Sequence, residues 1–570
     1  VNSDTKLDFI LEEKAIKLNE IVVTGTRTEK RLSETPILTN VISKTSIVQS
    51  GSTSTLETLQ DNIPGMFTSP NAMGNNLKIR GLNSRYILFL VDGERLISEG
   101  AGGNVNLDQI DPSTIERIEV INGSSSALYG SNAVGAIINI ITKEPVHKFE
   151  GGAEASYSNY NTQTARANIG TNQKRYSISA NGFRNSSDGF NIEDGAYAAK
   201  YQDYGANLKL TLKPNENLNL NFTGRYFQHE TFNMENTMAT THPINHSLSG
   251  GFNGSYKFPN QKNVLNGCIN YNRYLDYNVL ELQDNELMTD NIIDYLSARV
   301  VDTWNPNERF EVVGGIEYNY ESTYATKTLG STPTTKSVND MNVFAQAEYE
   351  LTDNFDAVAG LRYTHHSEYG AAVTPKIALM YEIGNFKFRG GVGSAYRSPS
   401  IKELYYDFDH QGMFWVYGNP DLRPEKGLHS SLSMEYIKGF FNFSLSPYYN
   451  NINNKITQFS VIQDGQQSLY YKNVSSATLK GFDANISFKV LKQVIINGNY
   501  SFCDAIDNST GLQLEENVKH SGTISLTWNG KIHRSPFSLQ FAGRLTSPKL
   551  YGTIETDDNG NELTIYEESK

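Results

Sequence analysis

The sequence predicts a mainly β protein: a membrane-spanning antiparallel barrel behind a compact mixed α/β region. Three observations carry this. From residue 147 onward, segments of roughly 10–16 residues alternate apolar and polar positions, the period of a strand with two different faces. The connectors between them alternate short and long. No run of about 18 apolar residues exists, which excludes a helical span but not a barrel, whose strands average lipid-facing and lumen-facing residues.

Residues 1–30 form a polar, charged leader with one short apolar run, Ile21-Val22-Val23-Thr24. Its opening is unlike a secretory signal, so Val1 reads as a mature or trimmed start. Residues 31–146 read as compact α/β. Thr53 to Ile63 is helix-like, with Thr53 or Ser54 as caps and Leu56, Leu59 and Ile63 on one face. Ile87 to Val91 is a continuous apolar strand, buried on both sides, stopped by the Asp92-Gly93 turn. Pro112 to Ile115 opens a short helical turn, and Ile118 to Ile121 is a strand.

Residues 147–570 form the barrel. Ile316, Tyr318 and Tyr320 alternate with Gly315, Glu317 and Asn319; Phe441, Phe443 and Leu445 alternate with Asn442, Ser444 and Ser446. Short connectors fall at 213–217, 259–262, 305–308, 352–354 and 384–385, and long ones at 229–247, 277–290, 322–338, 400–427 and 458–468. Short turns on one rim and long loops on the other separate an outer-membrane barrel from a soluble sandwich. About 19 strands precede Lys549, an odd number where such barrels have an even one. The acidic stretch Tyr551 to Lys570 reads as another outer loop, and the count implies further C-terminal strands outside this chain.

The net charge of −13 offers no basic field for nucleic acid. Cys268 and Cys503 fall on different, non-adjacent strands and are expected to be unpaired thiols. Ser124-Ser125-Ser126 has no nearby His, and no His-Glu-x-x-His or Cys-x-x-Cys motif is present, so no enzyme constellation is visible.

Three segments, TGTRTEKRLSETP (24–36), LKIRGLNSRYILFLVDGERL (77–96) and IERIEVINGSSSALYGSNAVGAIINIITK (115–143), together resemble the plug of TonB-dependent outer-membrane transporters. The resemblance runs from about residue 20 onward. It implies an outer-membrane barrel in a Gram-negative bacterium, filled by the 31–146 plug, with roughly 22 strands. It implies active import of a scarce nutrient with TonB and the inner-membrane proton gradient as partners. Ile21, Val22, Val23 and Thr24 match the TonB box, a short extended segment able to add to a partner's sheet edge. Arg80, Arg117, Glu116 and Glu119 match positions that form ion pairs between plug and inner wall, and Tyr129 is expected to pack inside the plug.

The cargo signal is thinner. Tyr396-Arg397-Ser398-Pro399, His410 and Asn419-Pro420-Asp421-Leu422 resemble the boxed loop of the family's haem receptors, with Ser398 where alanine is usual. That resemblance makes haem the leading cargo and His410 its expected iron ligand, since neutral imidazole suits haem iron. Tyr405, Tyr406, Phe408, Phe414, Trp415 and Tyr417 supply flat faces, and Tyr396 joins the cargo set. The plug has no histidine, so a second axial ligand is sought at His242, His246, His365 or His366, or at Met234 or Met238. The same boxes occur in carriers of cobalamin and ferric siderophores, where they shape the loop without touching cargo. These stay open as alternatives, as do a surface receptor that transports nothing and a surface lipoprotein partner. Asp188, Glu193, Asp194 and Asp203 offer calcium ligands but match no EF-hand spacing.

Overall fold

In the computed structural model, residues 20–568 are described apart from 72–73, 98–104, 192–196, 199, 233–240, 281–285, 327–328, 331, 411–413, 464–465, 475, 492, 515–516, 534 and 557–561. The plug begins with a two-stranded clip, β1 (Ile21–Val22) against β2 (Lys30–Arg31). It continues with β3 (Thr39–Ser43), α1 (Lys44–Ser50), α2 (Thr55–Asn62), β4 (Met66–Asn71), β5 (Gly74–Ile79), β6 (Leu82–Asn83), β7 (Ile87–Val91), β8 (Glu94–Arg95), β9 (Ile115–Asn122), α3 (Ser126–Tyr129) and β10 (Ala136–Thr142).

Five of these strands make one sheet in the order β3-β9-β10-β7-β8. β7 and β10 pair in parallel at its centre and are buried on both faces, which is why their sequences are continuous apolar runs rather than alternating ones. α2 starts where the Ser54 side chain accepts from the Glu57 N–H, and it buries Leu59 against this sheet. α1 ends at Gly51, whose φ of 65° is the left-handed turn that glycine tolerates.

The wall is a 19-stranded antiparallel sheet in chain order, from Glu150–Ser158 to Ser535–Thr546. Its alternation is the expected one: Ile316 and Tyr318 are 52% and 40% exposed, whereas Glu317 and Asn319 between them are 7% and 9% exposed and face the plug. Aromatic pairs such as Phe310–Tyr349, Phe355–Tyr381, Phe386–Tyr436, Phe441–Phe488 and Trp528–Phe537 gather beside the short turns, as at a membrane interface. The clip lies at this same rim, where Lys30 meets Glu311 at 3.1 Å and Glu348 at 2.6 Å. Among the described residues no helix is long and apolar enough to cross a membrane.

The long connectors differ from expectation. Strands Leu218–Phe232, Thr241–Lys257, Asn263–Leu280 and Glu286–Asn307 consume most of 229–247 and 277–290. Hairpin pairing continues past the alternating region, because the backbone ladder needs no alternating faces once it has left lipid. Tyr551–Lys570, expected as a loop, lies largely in a hairpin of Leu550–Thr556 with Glu562–Glu568. Cys268 and Cys503 are buried free thiols.

Candidate functional site

At the outer mouth, the wall strand Phe386–Arg397 ends in an arginine that is 2% exposed. Its guanidinium donates to both Glu403 oxygens, at 3.0 and 3.1 Å, and to Glu425 at 2.8 Å. Glu403 sits on α4 (Ile401–Tyr405), which Ser400 opens with a capping box. The plug joins the same cluster: Tyr86 Oη donates to Glu425 at 3.1 Å, and Arg85 lies 3.4 Å from Glu403. Asn419 N–H donates to the Glu403 carbonyl, and its side-chain amide donates to the Tyr471 carbonyl. The two boxes therefore shape the loop around a buried ion cluster. Tyr396 is 4% exposed beneath the loop, and its N–H donates to Ser126 Oγ of the plug, so it is not on an open cargo surface.

Two outer loops share a four-stranded sheet in the order Asp407–His410, Phe414–Tyr417, Gln466–Asn473, Ile456–Gln463. One side packs Val416, Ile456 and Tyr471 with Leu404 and Leu422. Pairing registers put Trp415, Tyr417 and Tyr470 on the other side. There the rings stack in a row: Trp415 to Tyr417 at 5.8 Å and 24°, Tyr417 to Tyr470 at 4.9 Å and 17°. Trp415 Nε1–H donates to Asp407. Tyr405 and Tyr406 are half-buried under ammonium groups, Lys336 at 4.7 Å and Lys402 at 5.6 Å from the respective ring centres.

The histidines whose side chains are described do not converge. His365 is exposed on the outward face, beside the outward-facing Met341, and only its neighbour His366 faces inward. One residue's step along a strand reverses the face. His366 Nδ1 accepts from the Glu368 N–H, and its ring packs on Tyr369. His246 also lies on the outward face, bonded to Tyr226 Oη, since its neighbour Ser247 reaches the plug's Gln109. The side chains of His410, His242 and Phe414 lie outside the described residues, as do Met234, Met238, Glu193 and Asp194. Asp188 meets Lys200, and Asp203 meets His229.

Between plug and wall, Arg80 donates through Nε to Asp483 at 3.0 Å, with both residues buried, and stacks 4.1 Å over Tyr448. Gly81 follows at φ 77°, and a Cβ there would lie 2.8 Å from Ala505 Cβ, two reasons for glycine at the end of the Ile-Arg-Gly triplet. Arg117, Glu116 and Glu119 do not reach the wall. Glu116 meets Lys44, and Arg117 meets Glu119 at 2.8 Å, all within the plug. β9 lies inside the plug sheet, so its side chains find plug partners. Other pairs cross the gap: Arg27 to Glu317 at 3.5 Å, Arg299 to Glu94 at 2.7 Å and Lys209 to Asp92 at 3.4 Å. Sequence reading missed Arg27, Glu317 and Arg362; the signal for Glu317 and Arg362 was a charge at an inward strand position, whereas Arg27 sits in the turn between β1 and β2. Arg362 donates to Glu317 and to the Leu128 carbonyl.

The Ile21–Thr24 segment is fastened. Glu119 Oε2 accepts from the N–H groups of Val23 and Thr24, each at 2.9 Å, and from Thr24 Oγ1 at 2.6 Å. Tyr129 Oη donates to the Thr24 carbonyl, and Asn139 to Thr24 Oγ1. Thr24 is wholly buried and Val22 is 2% exposed, whereas Ile21 is 49% exposed. Tyr129 also takes Arg27 over its ring at 4.3 Å, and it packs against a plug cluster that includes Leu88, Leu90 and Ile137 as well as against a wall cluster that includes Val313 and Phe344, so it packs where plug and wall meet.

Comparison with known proteins places these features among relatives. Residues 31–137 match the TonB-dependent receptor plug domain model, and residues 145–564 match the TonB-dependent receptor-like β-barrel model. The iron-regulated outer membrane virulence protein of Vibrio cholerae is 25% identical over 96% of this chain and 87% of its own length. The vitamin B12 transporter BtuB of Vibrio vulnificus is 25% identical over 98% and 89%. Among solved structures, a mutant of the ferric enterobactin receptor PfeA of Pseudomonas aeruginosa superposes with a TM-score of 0.79 at 17% identity, covering 94% of this chain and 88% of that one. The siderophore receptor PirA of Acinetobacter baumannii gives 0.77 at 16%, covering 90% and 86%.

Proposed function

This chain belongs to the TonB-dependent receptor family, and from that premise we propose that its cargo is an anionic iron chelate with flat conjugated faces, of the ferric siderophore or haemin type. The family sits in the outer membrane, works with TonB, and consists of receptors and transporters rather than enzymes. The observation that carries the cargo reading is the row of three near-parallel rings, Trp415, Tyr417 and Tyr470, on a sheet shared by two outer loops. A stacked row of this kind offers a conjugated chelate its end faces and ring edges. Lys336 and Lys402 add positive charge over neighbouring tyrosines. The names of the relatives point the same way, since several are iron-regulated or siderophore receptors.

Cargo binding above the plug loosens the clasp on Ile21–Thr24, and TonB then draws on that segment. A ferric siderophore brings iron with its coordination filled by the chelator. Haemin would instead take His410 as an axial ligand, the reading that its flanking boxes support.

Tryptophan fluorescence tests this directly. The chain has 3 tryptophans, and Trp304 and Trp528 face outward beside short turns. A Trp304→Phe/Trp528→Phe variant therefore reports from Trp415 alone. Saturable quenching by a ferric tris-catecholate or by haemin is expected, with a Soret shift weakened by His410→Ala in the haemin case. Quenching by cyanocobalamin and by neither iron chelate overturns the reading. Deleting residues 21–24 is expected to abolish uptake and leave quenching intact.

A further inference from the structure

The plug loop Gly123–Ser126 meets the wall strands Gly370–Ile383, Phe386–Arg397 and Glu425–Lys438. Between them lies a cavity of about 50 Å³, lined by Asn122, Ser124, Lys376, Gly393 and His429 among others, with no Asp or Glu in its lining. A close approach walls one side of it. Gly123 has φ 95°, and a Cβ there would lie 2.0 Å from His429 Nε2, so only glycine lets the loop sit against the wall.

The charges around the cavity are balanced with one exception. Arg80 is met by Asp483. Arg389 is met by Glu435 at 3.1 Å and by the Thr35 carbonyl at 3.0 Å. His429 is bonded through Nδ1 to Asn450. Lys376 is 9% exposed, and its one hydrogen bond among the described residues is a long one, 3.5 Å to Ser125 Oγ. No carboxylate among the described residues meets it. Beside it, both the Nδ2 and the Oδ1 of Asn122 are buried without a protein partner. A buried ammonium without a counter-charge costs several kcal/mol, and an orphaned amide adds to that.

We propose that this cavity binds a small inorganic anion of halide size, held by the Lys376 ammonium and the Asn122 amide N–H. The volume admits a halide with room for a few waters beside it. The anion completes the charge balance of the seated plug at a place where the chain supplies a cation from the wall and hydrogen-bond donors from the plug. Withdrawing the loop breaks the site, so anion occupancy and plug seating are linked.

The test uses the full chain in detergent. Crystals soaked in bromide are expected to show an anomalous peak within hydrogen-bond distance of Lys376 Nζ. In solution, chloride or bromide is expected to raise the melting midpoint over gluconate at equal ionic strength. Lys376→Gln is expected to weaken the halide's half-saturating concentration about tenfold or more, the loss of one charge-assisted hydrogen bond. Bromide-soaked wild-type crystals with no peak at Lys376 overturn the proposal even if the variant fails to fold. So does an identical halide response in Lys376→Gln.

Discussion

Glu119 illustrates how one carboxylate acquires several duties. Its Oε1 faces Arg117, and its Oε2 accepts from two backbone N–H groups and a hydroxyl of residues 23–24. Charge-assisted bonds of this kind contribute roughly 1.5–3 kcal/mol each. Glu119→Ala is expected to raise the detached fraction of the 21–24 segment by more than about tenfold. A spin label at Ile21→Cys reads this as a shift from an immobilised to a mobile spectrum, and an unchanged spectrum refutes the clasp; the native thiols Cys268 and Cys503 are buried and do not compete. Asp108 gives a pH signature. Burial, followed by the nearby Asp203 carboxylate, pushes it from 3.8 up to about 6, with His229 opposing. A raised carboxyl stabilises the fold most at low pH and loses that contribution as pH rises through about 6. Asp108→Asn is therefore expected to melt higher than wild type at pH 7, with the gap narrowing as pH falls below about 6 and closing only below about pH 4. A gap independent of pH contradicts this.

Among the elements, the strands and the central plug sheet were legible because each writes its burial into a short-range pattern. β7 is apolar throughout because both faces are covered, and Phe310–Ala325 alternates because its two faces meet lipid and plug. The outer loops were not legible. Their pairing is fixed by hairpin geometry and by a partner loop fifty residues away, as where Phe414–Tyr417 runs parallel to Gln467–Tyr470. The ion partners were hidden for the same reason: Arg80 and Asp483 are 403 residues apart, and only the wall's register brings them together. Adjacent His365 and His366 read alike in sequence, yet the pleat sends them to opposite faces. α4 shows what such a junction is worth. Glu403→Ala leaves Arg397 with Glu425 alone in a buried site, and removing one partner of a buried pair costs about 3–5 kcal/mol. It is expected to loosen the 400–427 loop, read as new protease cleavage there, and to weaken cargo quenching of Trp415 while the wall's melting stays near wild type.

At the scale of the molecule, a rigid wall holds a sheet that must be movable. The wall's backbone is laddered strand to strand, whereas the plug meets it through side-chain pairs such as Arg80–Asp483, Arg27–Glu317 and Lys209–Asp92. Side-chain pairs in a polar interface can exchange for water one by one; a continuous ladder cannot. The order β3-β9-β10-β7-β8 then has a mechanical meaning. β3 is an edge strand, the first of that sheet after the clip, and five residues long. Traction on residue 21 first loads the side-chain bonds that hold Val23 and Thr24 to Glu119 and Asn139; once these let go it passes along the chain to Thr39 and loads the β3–β9 ladder from its end, where bonds can fail in succession, as a zip opens. The parallel β7–β10 centre is reached only after that, which lets a small tug deform the plug's margin and spare its middle.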